Sequence, residues 1–430
     1  MSSRDTPQRA SGSGTGLPRR AWPFLTVVAV VALGAAAVGF SHLGSRSSPL
    51  DVSPPVTGTS QPAFRLRLTE VVLQRQAQAV SNRDEAGYLA GWDSSPDARR
   101  QAALTYSNLR KLGVARLETA VPVDAVTGNG SSWTAAVAVT WGLTGLDPNS
   151  SDSTLRYSFS ENGGAAVISR IAAPPGGRTP IWLLDGLRVR RDSRTLVAAT
   201  GAGEADRVER LLRSAVGAVG KVLPGWHGDL VAYAPGDLRQ FNALIAARPG
   251  QYRGIAAVTT IVDGSLDASA PAAIVINPRV FDPLGPISAH VVVTHEATHA
   301  ATHAAAVSMP LWVAEGFADY VGIGSVDVPT AVAAGAALRV VRRSGSPATL
   351  PSDDAFAVGG SRLEATYEEA WLANSLIART YGQRRLVDFY RKVEARPQRL
   401  AHVFVTVLGT SESAFTRSWR TYLQGLAGAG

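Results

Sequence analysis

The sequence predicts an α+β protein in three parts: a transmembrane helix near the N-terminus, a small α+β domain, and a larger, mainly helical domain. Three observations carry this reading. The stretch Trp22–Phe40 contains no charged residue, and about 20 such residues span a bilayer. From Phe64 onward the apolar period is helical, then turns to the alternation of strands before about residue 195. Beyond residue 200, two or three short apolar runs give way to long helical stretches, the order of an α+β layout.

Residues 1–20 are rich in Ser, Gly, Arg and Pro, a composition that cannot bury a core and predicts disorder. Residues 21–41 form the expected anchor. Arg19 and Arg20 precede it, so the positive-inside rule puts the N-terminus in the cytoplasm and the bulk of the chain outside. The small residues Ala35, Ala36 and Ala37 leave a cleaved signal peptide as the alternative. Residues 42–62 read as a flexible Ser/Pro/Gly/Thr linker.

Within residues 63–195, Leu66–Trp92 predicts one or two amphipathic helices, and Ala102–Leu112 continues helical. Strands follow at Trp133–Trp141, Leu155–Phe159, Ala165–Ile171 and Ile181–Leu184. The order faintly resembles the cone-shaped NTF2-like domains, and it contains no cluster of His, Asp or Glu. This accessory domain is expected to be structural, or to bind a partner or peptide. Thr195–Gly203 reads as a boundary. Glu204–Val222 opens a second domain (200–430) with a helix, followed by short strands near Leu230–Tyr233, Ile255–Val258 and Ala273–Ile276. Helices are predicted over 287–306, 311–323, 329–343, 362–381, 384–396 and a closing segment to Leu426.

Chemistry concentrates in the second domain. His295-Glu296-Ala297-Thr298-His299 places two imidazoles one helical turn apart on one face, where both can bind one metal ion. Glu296 projects beside them as a general base for an activated water. Zinc needs a third protein ligand and an open fourth position. Two residues compete for that role. His303 lies a further turn along the same helix. Glu315 comes after the break Ser308-Met309-Pro310 on a segment that can fold back, and a ligand from a second helix closes a tetrahedron more naturally. Glu315 is therefore the expected third ligand. Asp319, four residues on, shares its helix face and can accept the other ring N–H of a ligating histidine.

The motif, with Trp312-Val313-Ala314-Glu315-Gly316-Phe317-Ala318-Asp319-Tyr320 downstream, resembles the gluzincin zinc metallopeptidases, the thermolysin-like and zinc-aminopeptidase-like enzymes. The resemblance covers roughly residues 200–425. It implies zinc ligation by His295, His299 and Glu315, a base role for Glu296 and a supporting role for Asp319. The run Thr366-Tyr367-Glu368-Glu369-Ala370-Trp371, with Tyr381-Gly382 at its end, is similar to an aminopeptidase stretch whose tyrosine donates to the oxyanion. By that resemblance Tyr367 would take this role. The GxMEN motif that grips a free amino terminus is absent. In its place Ala273-Ile274-Val275-Ile276-Asn277-Pro278 reads as a strand whose edge could pair with an extended peptide, so endopeptidase activity is the expectation.

Composition narrows the rest. The chain has no cysteine, which excludes disulfides, thiolate nucleophiles and Cys-ligated metals. Its only lysines are Lys111, Lys221 and Lys392, and the formal net charge is +8. That charge is not gathered in one nucleic-acid-sized patch. The densest run, Arg188–Arg194, reads as a solvated strand edge or domain junction, without interleaved aromatics, so nucleic acid is not an expected partner. The expected protein is a membrane-anchored extracytoplasmic zinc metallopeptidase acting on a peptide or protein substrate. The alternative from another class is a non-catalytic surface protein that uses the same scaffold to bind an envelope partner.

Overall fold

The computed structural model describes residues 61–128, 130–146 and 149–429. The tail, the expected span Trp22–Phe40 and nearly all of the linker lie outside the described residues. No helix among the described residues is long and apolar enough to cross a membrane. What they form is a mixed α/β structure built on two sheets.

Three helices come first: α1 (Gln61–Asn82), α2 (Glu85–Ala90) and α3 (Pro96–Leu112). The Asp84 side chain accepts from the Gly87 N–H and starts α2. Gly113, at φ 75°, ends α3 in the left-handed conformation a glycine adopts without strain. The next five strands are β1 (Val114–Ala120), β2 (Val126–Thr127), β3 (Ser132–Leu143), β4 (Ser151–Asn162) and β5 (Ala165–Ala172). They make an antiparallel sheet in the order β1-β3-β4-β5, with β2 also on β3. Along β3 every second residue from Trp133 to Leu143 is buried, the period-2 signature of a sheet with one covered face. Helices α1 and α3 pack against this sheet.

The second sheet contains β6 (Arg188–Arg191) and β7 (Thr195–Ala199), then, after α4 (Glu204–Val222), β8 (Leu230–Ala234). Helix α5 (Leu238–Ile245) precedes β9 (Ala257–Ile261) and β10 (Ala272–Ile276). The order is β6-β7-β8-β10-β9, with β7, β8 and β10 parallel and both outer strands antiparallel to their neighbours. Three expectations change here. Thr195–Gly203, read as a boundary, begins with β7, all five residues of which are buried in this sheet. Ile181–Leu184, read as a strand, is a 3-10 turn over Ile181–Leu183 following Pro180. Ala273–Ile276 is not an edge: β8 and β9 hydrogen-bond to β10 on both sides, and β9 holds the outer position.

Helices follow: α6 (Pro278–Phe281), α7 (Pro286–Ala301), α8 (Leu311–Gly324), α9 (Thr330–Ala333) and α10 (Gly335–Ser344). The last are α11 (Leu363–Tyr381), α12 (Gln383–Ala395), α13 (Leu400–Val403), a π-helical turn over Phe404–Leu408, and α14 (Glu412–Gly428). Helix α7 starts with Pro286 in its first turn, where a missing N–H costs nothing. It ends five residues before the predicted limit, because Thr302 leaves helical geometry and His303 takes φ 51°. Val291, Val292 and Val293 are all buried, against α4, β9 and β10 on one side and α8 on the other. Burying each valine contributes about 1.5–3 kcal/mol.

Helix α8 fits between α7 and α11 because Gly316 and Gly322, at its two contact faces, have no side chain. A Cβ at Gly316 would lie 2.3 Å from the Ala370 carbonyl oxygen and from Asn374 Nδ2. A Cβ at Gly322 would lie 3.0 Å from the Val291 carbonyl oxygen. The glycine of the Glu315-Gly316 pair thus lets α8 lie close against α11. Asn374, fully buried, donates to the Trp312 and Ala370 carbonyls at 3.0 Å each and ties the two helices.

Candidate metal centre

Two helices and one outer strand build the centre. His295, Glu296 and His299 come from the middle of α7, Glu315 and Asp319 from α8, and Thr259 from β9. The first four are at most 2 % exposed. Buried ionisable groups at this density need one another, or an ion, to offset their desolvation.

His295 Nε2, His299 Nε2 and one carboxylate oxygen of Glu315 converge on a point. The nitrogens are 2.9 Å apart, and Glu315 Oε2 lies 3.2 Å from His295 Nε2 and 3.4 Å from His299 Nε2. A tetrahedral ion with bonds of about 2.0–2.1 Å holds its ligands about 3.3 Å apart. The triangle fits such an ion, and two imidazoles with a carboxylate are a donor set that zinc favours. Together the three residues form a group able to hold a metal ion. His303 stands outside it: exposed, past the end of α7 and on a left-handed backbone at φ 51°.

Asp319 Oδ1 lies 2.7 Å from His295 Nδ1. The carboxylate can only accept, so Nδ1 donates and the ring is held with Nε2 toward the centre. Burial alone would depress the His295 pKa, but Asp319 and then Glu315 outweigh it and hold it well above the usual histidine range. Burial likewise pushes Glu315 up, and the two histidines pull harder, bringing it down to about 2.

Glu296 sits on the same turn with one oxygen engaged. Its Oε2 accepts from the Thr259 hydroxyl at 2.7 Å, and that hydroxyl is also 2.9 Å from the Glu296 carbonyl oxygen. Oε1 has no hydrogen-bond partner among the described residues. Burial raises the Glu296 pKa above the ordinary glutamate value, against the lowering pull of both histidines and Thr259. A raised carboxyl with one free oxygen has the properties of a general base or acid.

Tyr367, on α11, is buried and reaches the same group of carboxylates. Burial is the main cause that holds its phenol well above its usual pKa, and Glu315, Asp319 and Glu296 add to it. The phenol therefore stays protonated and able to donate. Its ring packs edge-on against Phe356 at 5.0 Å.

All six residues singled out in the sequence, His295, Glu296, His299, Glu315, Asp319 and Tyr367, thus come together. Thr259 was not among them. A threonine within an apolar strand carries no local signal, and only the packing of β9 on α7 brings it to Glu296.

No protein-family model matches this sequence, and no curated protein matches it. Among solved structures, a SEC-C motif containing protein from Rhodopseudomonas palustris is 15 % identical over 24 % of this chain and 77 % of its own, with a TM-score of 0.20.

Proposed function

We propose that this chain is a zinc metallopeptidase of gluzincin type, anchored in the membrane by its N-terminal apolar segment with its bulk extracytoplasmic. The first sheet with its helices would serve as an NTF2-like accessory domain. The observation that carries the reading is the ligand triangle of His295, His299 and Glu315 with the half-free carboxylate of Glu296 on the adjoining helix position.

His295, His299 and Glu315 would hold the ion, with Asp319 fixing the His295 ring. Zinc, when bound, supplies Lewis acidity toward a water and a substrate carbonyl. Glu296 Oε1 takes a proton from the water that attacks the scissile carbonyl carbon. Thr259 holds the other carboxylate oxygen and so keeps Oε1 aimed at the reacting water. The Tyr367 phenol donates to the oxyanion as charge develops on the carbonyl oxygen. When the C–N bond breaks, Glu296 passes its proton to the departing amine. Without a grip for a free amino terminus, the substrate is an internal peptide bond.

The test is the full chain with Glu296→Gln. The variant keeps its metal and loses turnover of an unfolded protein by about 10²–10⁴-fold. Undiminished turnover in this variant contradicts the mechanism.

A further inference from the structure

The net charge has a focus late in the chain. Between Arg379 and Arg420 nine arginines and lysines face only three carboxylates, Asp388, Glu394 and Glu412, so this tenth of the chain carries most of the +8. Four of them, Arg391, Lys392, Arg396 and Arg399, stand within nine residues at the end of α12 and in the 3-10 turn Pro397–Arg399 that follows it.

Part of this charge lines a cleft of about 390 Å³ between the end of α12 and the π-helical turn. Lys392, Arg396, Arg399 and His402 line it together with Val403 and Thr406. No carboxylate lines it. None of Lys392, Arg396 and Arg399 has an ion-pair partner among the described residues, in contrast to Arg190, Arg207 and Arg213, each of which is paired. Like charges held this close repel, and an anion between them relieves the repulsion. Val405, next in sequence to the cleft residue Thr406, is an aliphatic side chain 57 % exposed on the π-helical turn.

We propose that this cleft binds a phosphate group, with guanidinium forks and an ammonium as the recognising chemistry. The exposed Val405 makes an anionic phospholipid headgroup the favoured carrier, since an aliphatic side chain gains from contact with the acyl boundary. The inference is independent of the peptidase reading, because none of these residues belongs to the metal centre.

The test is hydrogen exchange of the full chain in nanodiscs, read over residues 392–408. Nanodiscs of phosphatidylcholine alone are compared with nanodiscs containing phosphatidylglycerol, and with inorganic phosphate added to the neutral discs. We expect slower exchange in this segment with phosphatidylglycerol. The double variant Lys392→Glu/Arg396→Glu loses that protection, whereas Arg342→Glu/Arg343→Glu, an equal charge change on α10, keeps it. Protection by inorganic phosphate as strong as that by lipid supports the phosphate site and makes a soluble phosphate its source. Unchanged exchange with both anions, or protection that survives the Lys392/Arg396 reversal, overturns the proposal.

Discussion

Thr259 Oγ1 lies 2.7 Å from Glu296 Oε2, across the packed interface between the outer strand β9 and helix α7. That contact leaves Glu296 with one engaged and one free carboxylate oxygen. A base held by one oxygen is oriented without being consumed, so Thr259 joins the residues on which the proposed reaction depends.

Removing the hydroxyl with Thr259→Val, nearly the same shape, should lower kcat about tenfold while leaving metal content intact. A hydrogen bond to a charged group contributes about 1.5 kcal/mol or more, and about 1.4 kcal/mol is tenfold in rate. Thr259→Ser restores the hydroxyl and should recover most of the rate. Steady-state kinetics with metal analysis on the same samples checks both. Equal losses in the serine and valine variants would point to packing instead.

Asp319→Asn keeps the shape beside His295 but weakens the hold on its Nδ1–H. Partners of this kind change metal affinity by about 10–100-fold. Competition with a chelating dye should place the variant in that range, and an affinity equal to the parent's would remove Asp319 from the site's design.

Gly316→Ala probes the close approach of α8 and α11. The added methyl meets a backbone oxygen and a buried amide at 2.3 Å, neither of which can retreat cheaply. Overpacking of this kind costs about 1–3 kcal/mol, to be measured by urea denaturation. Gly324→Ala, whose added Cβ meets nothing within 4 Å, is the matched control and should be neutral or slightly stabilising by helix propensity.

Glu368 gives a prediction in pH. Burial pushes its carboxyl up to about 8 from the ordinary 4.5, against the pull of the Ala337 N–H that donates to it at 2.6 Å. The folded state therefore favours the protonated acid. Its contribution is fully present below about pH 4.5 and is lost as pH rises toward 8. Glu368→Gln cannot ionise and still offers an acceptor to Ala337. The variant should gain stability relative to the parent between pH 5 and pH 8, by on the order of 1 kcal/mol. Denaturation at the two pH values gives the difference directly, and a gap that does not change with pH refutes the assignment.

The candidate metal centre was legible in the sequence as a cluster because its parts are local. A histidine pair at helical spacing and a glutamate-aspartate pair on the next helix each need only one element to be aligned, so naming the elements nearly names the site. Helix α4 could be read to its ends, since Glu204 and Asp206 mark its first turn and its apolar stripe is regular. Strand β7 could not. A strand buried on both faces shows no alternation, and Thr195–Ala199 lies where small residues and glycine imitate a linker. The same blindness hid Thr259, whose partner Glu296 stands 37 residues further along the chain. The end of α7 before His303 was missed in sequence, because a helix end set by a left-handed residue other than glycine has no strong signal.

The most direct measurement is the metal content of the full chain purified without chelator, alongside His295→Ala and Glu315→Ala. About one zinc ion per parent chain is expected, and little in either variant, because each loses one corner of the 2.9–3.4 Å triangle. A parent chain that takes up no zinc even when it is supplied, or variants that retain it, would contradict the central claim.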